Sequence, residues 1–260
     1  MIYKFYLLST LLFFNIINTA YADNSAYGDL VSEHVYHLTK GDIHFATTSN
    51  KIFKQPNEYI FVIESNTSGI FKIKKDHRIE VSRYESKSIN PSYYKFYRNK
   101  KDKLEIIETF FNKDSSVIMT THTINNVTKN IEHEKMRHIQ DRLSVQIDYQ
   151  KKLNEGKYSQ DYRIIDKGRL RDYQFRHVGE EEIQTIFGKT NTVVIHKLIK
   201  NNKRNTLTWY AIDYGFIPVK IEQYRKNSLK FTVTLEEVKK KLYFFLNLNE
   251  LIFINPSASL

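Results

Sequence analysis

The sequence predicts a mostly β fold: a single domain with a curved or partly closed antiparallel sheet and one short helix over about 141–155. Three observations predict it. Alternating polar and apolar residues, rich in aromatic and β-branched types, recur along the chain. The turns between these stretches are too short for crossover helices, so neighbouring strands should pair antiparallel. No linker rich in Pro, Gly or Ser separates two halves, and the length suits one large β domain.

The predicted strands fall into two groups along the chain. The first group comprises 58–64, 69–74, 78–84 and 93–98, with turns predicted at 65–68, 75–76 and 90–92. The second group comprises 161–165, 170–178, 192–199, 206–212, 216–223 and 229–236. Gly168 and Gly188 lie between strands, where glycine permits a positive φ in a tight turn. Pro218 lacks a backbone donor, which predicts an edge strand or a bulge at that position.

One segment between the two groups has a helical pattern instead. Asp141 is a suitable N-cap, Leu143 and Ile147 lie one turn apart, and Gly156 provides a C-terminal stop. The sequence therefore predicts a single helix here.

The first 22 residues predict export. Met1 to Lys4 form a short basic end, and 5–19 is an uncharged apolar run that ends in Ala20-Tyr21-Ala22. This small-x-small pattern suits a signal peptidase, with cleavage before Asp23. The alternative is a retained membrane anchor, but a spanning helix needs about 20 apolar residues. We therefore expect a signal peptide over 1–22, a β-rich domain over 23–238 and a periplasmic protein.

Cysteine content and charge narrow the class of protein further. The chain contains no Cys, which excludes disulfides, thiolate metal sites and the acyl attachment of a lipoprotein. Its net charge is +11, and about +10 without 1–22. A basic surface favours an anionic lipid, a glycan or another envelope protein as partner; nucleic acid is not expected in that compartment. The favoured interpretation of the lysines, including the runs at 72–75 and 239–241, is nonetheless that they are simply solvated.

The C-terminal third carries a family resemblance. Residues 162–198 read YRIIDKGRLRDYQFRHVGEEEIQTIFGKTNTVVIHKL, and 206–238 read TLTWYAIDYGFIPVKIEQYRKNSLKFTVTLEEV. In order and spacing these stretches resemble the bacterial domain of unknown function 3108 family, and the resemblance extends upstream to 82–86 and 141–144. It implies an exported protein with a β-rich domain. It implies no mechanism, because the family is itself uncharacterised.

Five residues are candidates for a ligand-binding or core surface: Trp209, Tyr210, Arg83, Tyr84 and Arg204. Trp209 is the only tryptophan. Strand alternation places it on one face with Leu207 and Ala211, while Thr208, Tyr210 and Ile212 take the other face. A core role for Trp209 is favoured over ligand stacking, because large aromatic side chains usually bury their area.

No catalytic, cofactor-binding or metal site is predicted. Three residues separate Glu134 from His138, where a zinc-protease motif has two, so on a helix His133 and His138 would lie about 140° apart. Glu180 to Glu182 are expected to decorate a turn before the next strand. There is no Gly-x-Ser-x-Gly elbow and no glycine-rich phosphate loop.

The residues after 238 depart from the family pattern. Within 239–260, the segment 242–254 (LYFFLNLNELIFI) is apolar but too short to span a bilayer. We expect an added strand or short helix packed on the domain; an interfacial anchor or an irregular extension are the alternatives.

Two functions from different classes follow. The first is a non-enzymatic envelope protein whose concave sheet offers an apolar surface with basic residues at its rim to a lipid, glycan or protein partner. The alternative is a periplasmic hydrolase or glycan-modifying enzyme with carboxylates brought together from separate strands.

Overall fold

A computed structural model describes residues 27–101, 103–200 and 202–240 of the 260-residue chain. The predicted export signal and the apolar segment 242–254 lie outside the described residues. Within them, the elements in chain order are β1 Asp29–Lys40, β2 Ile43–Lys54, β3 Glu58–Thr67, β4 Asp76–Glu85, β5 Pro91–Lys100, β6 Lys103–Phe110, β7 Val117–Ile124, β8 Val127–Glu134, β9 Gln140–Asp141, α1 Ser144–Asn154, β10 Gln160–Ile165, β11 Leu170–Thr185, β12 Gly188–Ile199, β13 Arg204–Ala211, β14 Ile217–Arg225 and β15 Ser228–Lys240.

The strands form one sheet in the order β8-β7-β6-β5-β4-β3-β2-β1-β15-β14-β13-β12-β11-β10-β9. Two antiparallel meanders, β1 to β8 and β10 to β15, join where β1 pairs with β15 in the middle of the sheet. The two-residue strand β9 runs parallel to β10. In the described part of the chain β8 and β9 do not pair with each other, so the sheet is not closed into a barrel. The predicted fold class is confirmed.

The two wings of the sheet approach each other across one face. The Gln140 side chain beside β10 donates a hydrogen bond to the carbonyl of Ile89 between β4 and β5, at 3.2 Å. In the β10–β11 turn, the Lys167 ammonium lies 3.4 Å from the centroid of the Phe96 ring on β5. The face between the wings is the inner face of the sheet.

Helix α1 fills the space between the wings. Leu143, just before the helix, and Ile147 pack into a cluster with Phe61, Tyr84 and Tyr94 of the first meander. The neighbouring positions Val145, Tyr149 and Leu153 pack into a second cluster, which includes Tyr173, Phe175 and Val193 of the second meander. Residues along α1 thus pack against both wings, and α1 lies at the centre of the core.

The helix prediction is confirmed in position, but Asp141 is not the N-cap residue. The Asp141 carboxylate accepts hydrogen bonds from the backbone N–H groups of Leu143 at 2.6 Å and Ser144 at 3.0 Å. It therefore satisfies donors of the first turn, although the formal N-cap position is Leu143. Gly156 adopts a φ of +72° just beyond the helix.

Nine of the ten predicted strands coincide with strands of the structure, and 69–74 is the exception. Gly69–Lys74 forms a 3-10 helix. Alternation suggested a strand, but β3 and β4 already pair with each other from Asn66 and His77 onward. The segment between them is left outside the ladder, and Ile73 is 86% exposed.

The predicted turn at Glu180 to Glu182 is also wrong. These residues lie inside β11, where they pair with Val193, Thr192 and Asn191 of β12. Consecutive acids suggested a solvated turn, but in a strand only alternate residues share a face. Glu181 is on the face of Trp209 and accepts a hydrogen bond from its indole Nε1 at 2.8 Å.

Backbone expectations at turns and bulges are met. Gly168 and Gly188 have φ values of +71° and +85°. Pro218 lies in β14, between β13 and β15, so it is not on an edge strand. The β13–β14 register shifts directly beside it, between Trp209 and Tyr210, and the bulge alternative is therefore correct.

Hairpins alternate between the two ends of the sheet. One end, called the β1–β2 end here, carries the hairpins β1–β2, β3–β4, β5–β6, β7–β8, β10–β11, β12–β13 and β14–β15. The opposite, β2–β3 end carries β2–β3, β4–β5, β6–β7, β11–β12 and β13–β14. None of the helices in the described residues has the length and apolarity required to cross a bilayer.

Candidate functional site

A cavity of about 570 Å³ lies on the inner face at the β1–β2 end. Six apolar residues line it: Leu38, Ile43, Phe45, Ala46, Phe71 and Phe231. Its charged lining consists of Lys40, Asp76, Arg78, Lys100 and Lys230, with Ser65, Asn66 and Thr67 as neutral polar residues. The volume falls in the ordinary range of small-molecule sites, about 300–1,000 Å³.

Strand register explains why these residues converge. Leu38 of β1 pairs with Ala46 of β2, and Ala46 pairs with Thr67 of β3, so the three lie side by side on one face. Thr67 shares the face of Phe61, which packs against the helix cluster. Phe231 of β15 adds an edge-to-face contact with Phe45, at 6.1 Å between ring centroids.

A two-arginine fork holds Asp76 at the wall of the cavity. Arg98 donates to the Asp76 carboxylate from Nε at 2.9 Å and from Nη2 at 2.7 Å, and Arg78 does so at 3.1 Å and 2.7 Å. Burial alone would raise the pKa of Asp76, but the hydrogen bonds from Arg98 and Arg78 outweigh it and hold that pKa well below its usual range. Asp76 is therefore a fixed anion that orients both guanidinium groups.

The mouth of the cavity keeps an excess of positive charge. One carboxylate, Asp76, faces Arg78 and Arg98, and Lys100 lies 4.0 Å from it. Lys40 and Lys230 are exposed and form no ion pair with another described residue. An anionic group at the mouth would meet several ammonium and guanidinium donors over an apolar floor.

Deeper along β4, a second group of charges lines the inner face. Arg142 Nε lies 3.5 Å from both Glu80 Oε2 and Asp166 Oδ1. Tyr94 donates its hydroxyl to Glu80 at 2.8 Å, and Tyr173 donates to Asp166 at 3.0 Å. This set joins β4 and β5 to the β10–β11 turn through Arg142, which lies between β9 and α1.

Two lysines adjoin this charged set. Burial, with repulsion from Arg142 as the next cause, lowers the pKa of Lys167 to about 8. The same two causes, in the same order, lower the pKa of Lys197 to about 8. Lys197 also lies 5.3 Å from the centroid of the Tyr173 ring. The interior thus holds two lysines whose charged form is less favoured than that of an exposed lysine.

The third inner carboxylate, Asp141, is fully buried. Besides the two backbone donors at the start of α1, it accepts the Ser82 hydroxyl of β4 at 2.6 Å. Burial raises the pKa of Asp141 to about 6, although these hydrogen bonds act in the opposite direction. Its chemistry is that of a structural anchor between α1 and β4.

These carboxylates converge, but each is already engaged. Glu80 and Asp166 share Arg142 and each accepts a tyrosine hydroxyl, while Asp141 has no solvent exposure. Across the described ranges, no group of three or more His, Asp or Glu side chains is placed to hold a metal ion. Ion pairs and hydrogen bonds therefore hold all three carboxylates in place.

The structure does not bring the predicted surface residues together. Trp209 is 5% exposed, and Lys220 lies 4.3 Å from its ring centroid. Tyr210, on the opposite face of β13, lies 6.0 Å from the Tyr149 ring of α1. The predicted face assignment along β13 is therefore correct.

The other three candidates are distributed over β4 and β13. Tyr84 is fully buried, stacks with Tyr59 at 6.0 Å, and its hydroxyl has no hydrogen-bond partner among the described residues. Arg83, on the opposite face of β4, pairs with Glu58 at 2.8 Å. Arg204 is exposed where β13 begins, at the β1–β2 end.

Sequence reasoning missed the residues that form the cavity. The signal available was the alternation of charged residues at the start of β4 and at the end of β5, with Asp76 and Arg78 facing Arg98 and Lys100. Without the register, nothing in the sequence placed these charges beside Phe45 and Phe231.

Comparisons with known proteins give a family and a fold. The family model described as protein of unknown function (DUF3108) matches residues 32–234. A crystal structure of a β-barrel-like protein of domain of unknown function DUF1849, from Brucella abortus, is similar with a TM-score of 0.55 at 7% identity, covering 81% of this chain and 98% of that one. A Bacteroides fragilis protein with a YmcC-like fold is similar with a TM-score of 0.36 at 11% identity, covering 82% and 97%. No curated protein matches the chain.

Proposed function

We propose, from the premise that this chain belongs to the DUF3108 family of proteins of unknown function, that it is a non-catalytic binding protein. Its ligand would be an amphipathic molecule with an anionic head group, held in the cavity at the β1–β2 end. The apolar part would lie against the inner face, and the head group would lie at the cationic mouth.

One observation carries this proposal: the cavity combines an apolar floor with an excess of positive charge at its mouth. Phe45, Phe71 and Phe231 provide a floor that favours burial of hydrocarbon. Arg78 and Lys100 provide charge-assisted donors beside it. A purely polar ligand would leave the floor without partners, and a purely apolar one would leave the cations unused.

The compartment proposed for this function is the periplasm. The basis is the sequence pattern at 1–22, with cleavage predicted before Asp23. Lipids and glycans with phosphate or carboxylate groups are the anionic amphiphiles that an envelope protein meets.

The hydrolase alternative rests on Glu80, Asp141 and Asp166, which do come from separate elements. A glycosidase needs one carboxylic acid free to protonate a leaving group and another free to attack or to activate water. Glu80 and Asp166 are bound to Arg142 and tyrosine hydroxyls, and Asp141 is buried. This engagement supports binding over hydrolysis.

Titration with a pyrene-labelled long-chain fatty acid tests the proposal. We expect saturable binding by the purified chain and at least tenfold weaker binding by Lys40→Glu, because a carboxylate at the mouth repels the head group. Lys54→Glu is the matched control: Lys54 is also exposed, but it lies at the other end of β2, away from the cavity. Its affinity should equal that of the wild type.

A second pair of variants tests the apolar floor. Phe231→Glu places a charge in the apolar floor and should abolish probe binding. Phe110→Glu is the control: it replaces an aromatic side chain that is 46% exposed at the β2–β3 end, and its affinity should equal that of the wild type. The proposal would be refuted if, within each pair, the cavity variant and its control bound the probe with equal affinity, because the probe would then bind elsewhere.

A further inference from the structure

Charge is distributed very unequally between the two ends of the sheet. The seven hairpins at the β1–β2 end span 40–43, 67–76, 100–103, 124–127, 165–170, 199–204 and 225–228. In sequence they contain fourteen Lys or Arg and four Asp, a net charge of +10. The five hairpins at the β2–β3 end span 54–58, 85–91, 110–117, 185–188 and 211–217, and they contain three Lys and four acidic residues. Nearly the whole excess charge of the protein is therefore collected at one end.

Most of these cations are available at the surface. Lys72, Lys103 and Lys203 are exposed, and none of the three forms an ion pair with another described residue. The β10–β11 hairpin is an exception because Lys167 bends inward over Phe96. Asp166 in the same hairpin carries the opposite charge, so leaving both residues out does not change the net charge of the β1–β2 end.

The same end also exposes aliphatic side chains. Ile43, which lines the cavity, is 56% exposed, and Ile73, in the connection between β3 and β4, is 86% exposed. Val127, Leu170 and Leu229, at 65%, 39% and 46%, begin strands at this end. Five of the eight exposed large apolar residues of the described chain thus lie among the cations. Protein surfaces that combine lysines with protruding aliphatic side chains suit the interface of an anionic bilayer.

We infer that the β1–β2 end docks on an anionic lipid bilayer, with its lysines on the head-group phosphates and with Ile43 and Ile73 inserted beneath them. This deepens the proposed function, because docking places the cavity mouth on the membrane. It does not depend on a ligand in the cavity, because Lys72, Lys203 and Ile73 are exposed and do not line the cavity. A soluble polyanion would engage the lysines but would give Ile73 no apolar environment.

Vesicle sedimentation with the processed chain, residues 23–260, tests the inference. We expect binding to vesicles of phosphatidylcholine with about 30% phosphatidylglycerol, and little binding to vesicles of phosphatidylcholine alone. Lys72→Glu with Lys203→Glu should weaken binding at least tenfold, since each cation near such a surface contributes on the order of a fivefold effect. The matched control, Lys54→Glu with Lys87→Glu, makes the same charge change on exposed residues at the β2–β3 end and should bind as the wild type does.

Ile73→Asp separates a membrane from other polyanions. We expect it to weaken vesicle binding severalfold, with binding to soluble polyphosphate reduced far less, because insertion into lipid is the step it removes. Three outcomes would overturn the inference: equal binding to neutral and anionic vesicles, an equal loss of binding in both pairs of lysine variants, or vesicle binding that Ile73→Asp does not change. Fatty-acid binding is measured without vesicles, so its outcome stands or fails separately from this one.

Discussion

At the scale of single residues, Trp209 and Tyr210 show how far alternation alone determines position. Adjacent in sequence, they lie on opposite faces of β13, as the period of a strand requires. Alternation also predicted the companions of Trp209, Leu207 and Ala211, which share its cluster. It did not predict Glu181, which accepts the indole hydrogen bond, because the contact depends on the register of β11 against β12 and β13.

Replacing Trp209 with alanine should destabilise the domain by about 3–5 kcal/mol, the usual cost of deleting a buried aromatic side chain. The side chain is 5% exposed and packs with Val194 and Ile217. Urea unfolding followed by far-UV circular dichroism measures the change, since the variant has no tryptophan.

Glu181→Ala is the companion variant for this site. It leaves the indole N–H without its acceptor and should lower the free energy of unfolding by about 1–3 kcal/mol.

The outcome for Trp209→Ala decides whether Trp209 belongs to the core. A urea unfolding midpoint equal to that of the wild type would contradict this assignment.

At the scale of elements, local patterns identified strands well and their connections poorly. Segments 78–84 and 93–98 alternate because one of their faces packs against α1, and that burial is what a period of two reports. Segment 69–74 alternates as well, but no neighbouring strand is free to pair with it. The charges of Glu180 to Glu182 suggest a turn. Both faces of the sheet are partly exposed at this point, however, so charged residues can also lie within a strand. Pairing partners, which are non-local, decided both cases.

The junction between α1 and β4 should make stability depend on pH. Burial raises the pKa of Asp141 to about 6 from an ordinary value of 3.8, so the folded protein binds this proton more tightly than the unfolded chain. The contribution of Asp141 is therefore most favourable below about pH 4 and is lost as pH rises from about 4 to about 6, by about 3 kcal/mol. Above pH 6 it should be constant.

Comparison with Asp141→Asn isolates this effect from the other carboxylates. The difference in unfolding free energy between wild type and variant, measured at intervals from pH 4 to pH 8, should change between pH 4 and pH 6 and then level off. Ser82→Ala removes a hydrogen bond that favours the carboxylate and should raise the upper limit of that pH window, while the lower limit, set by the unfolded chain, stays the same. Parallel curves for wild type and Asp141→Asn would show that Asp141 does not titrate in this range.

At the scale of the whole molecule, composition predicted a basic protein, and topology determined where the charge lies. The sequence shows lysine runs separated by tens of residues, at 72–75, 100–103 and 200–204. Only the meander order places them at one end, because each pair of antiparallel strands returns the chain to that end. The cavity was unpredictable for the same reason: its lining comes from β1, β2, β3, β4, β5 and β15, which span nearly the full chain.

The predicted export of the molecule is tested at its N-terminus. Cleavage after Ala22 would leave 23–28 before β1, which begins at Asp29, so removal of the signal takes nothing from the sheet. N-terminal sequencing of the chain from an envelope fraction should therefore return Asp23 as the first residue. Ala20→Leu with Ala22→Leu replaces the small residues that the peptidase requires and should accumulate the longer precursor, while Tyr21→Leu, between them, should be processed normally. Recovery of a wild-type chain that still begins at Met1 would contradict the cleavage and would favour the retained anchor instead.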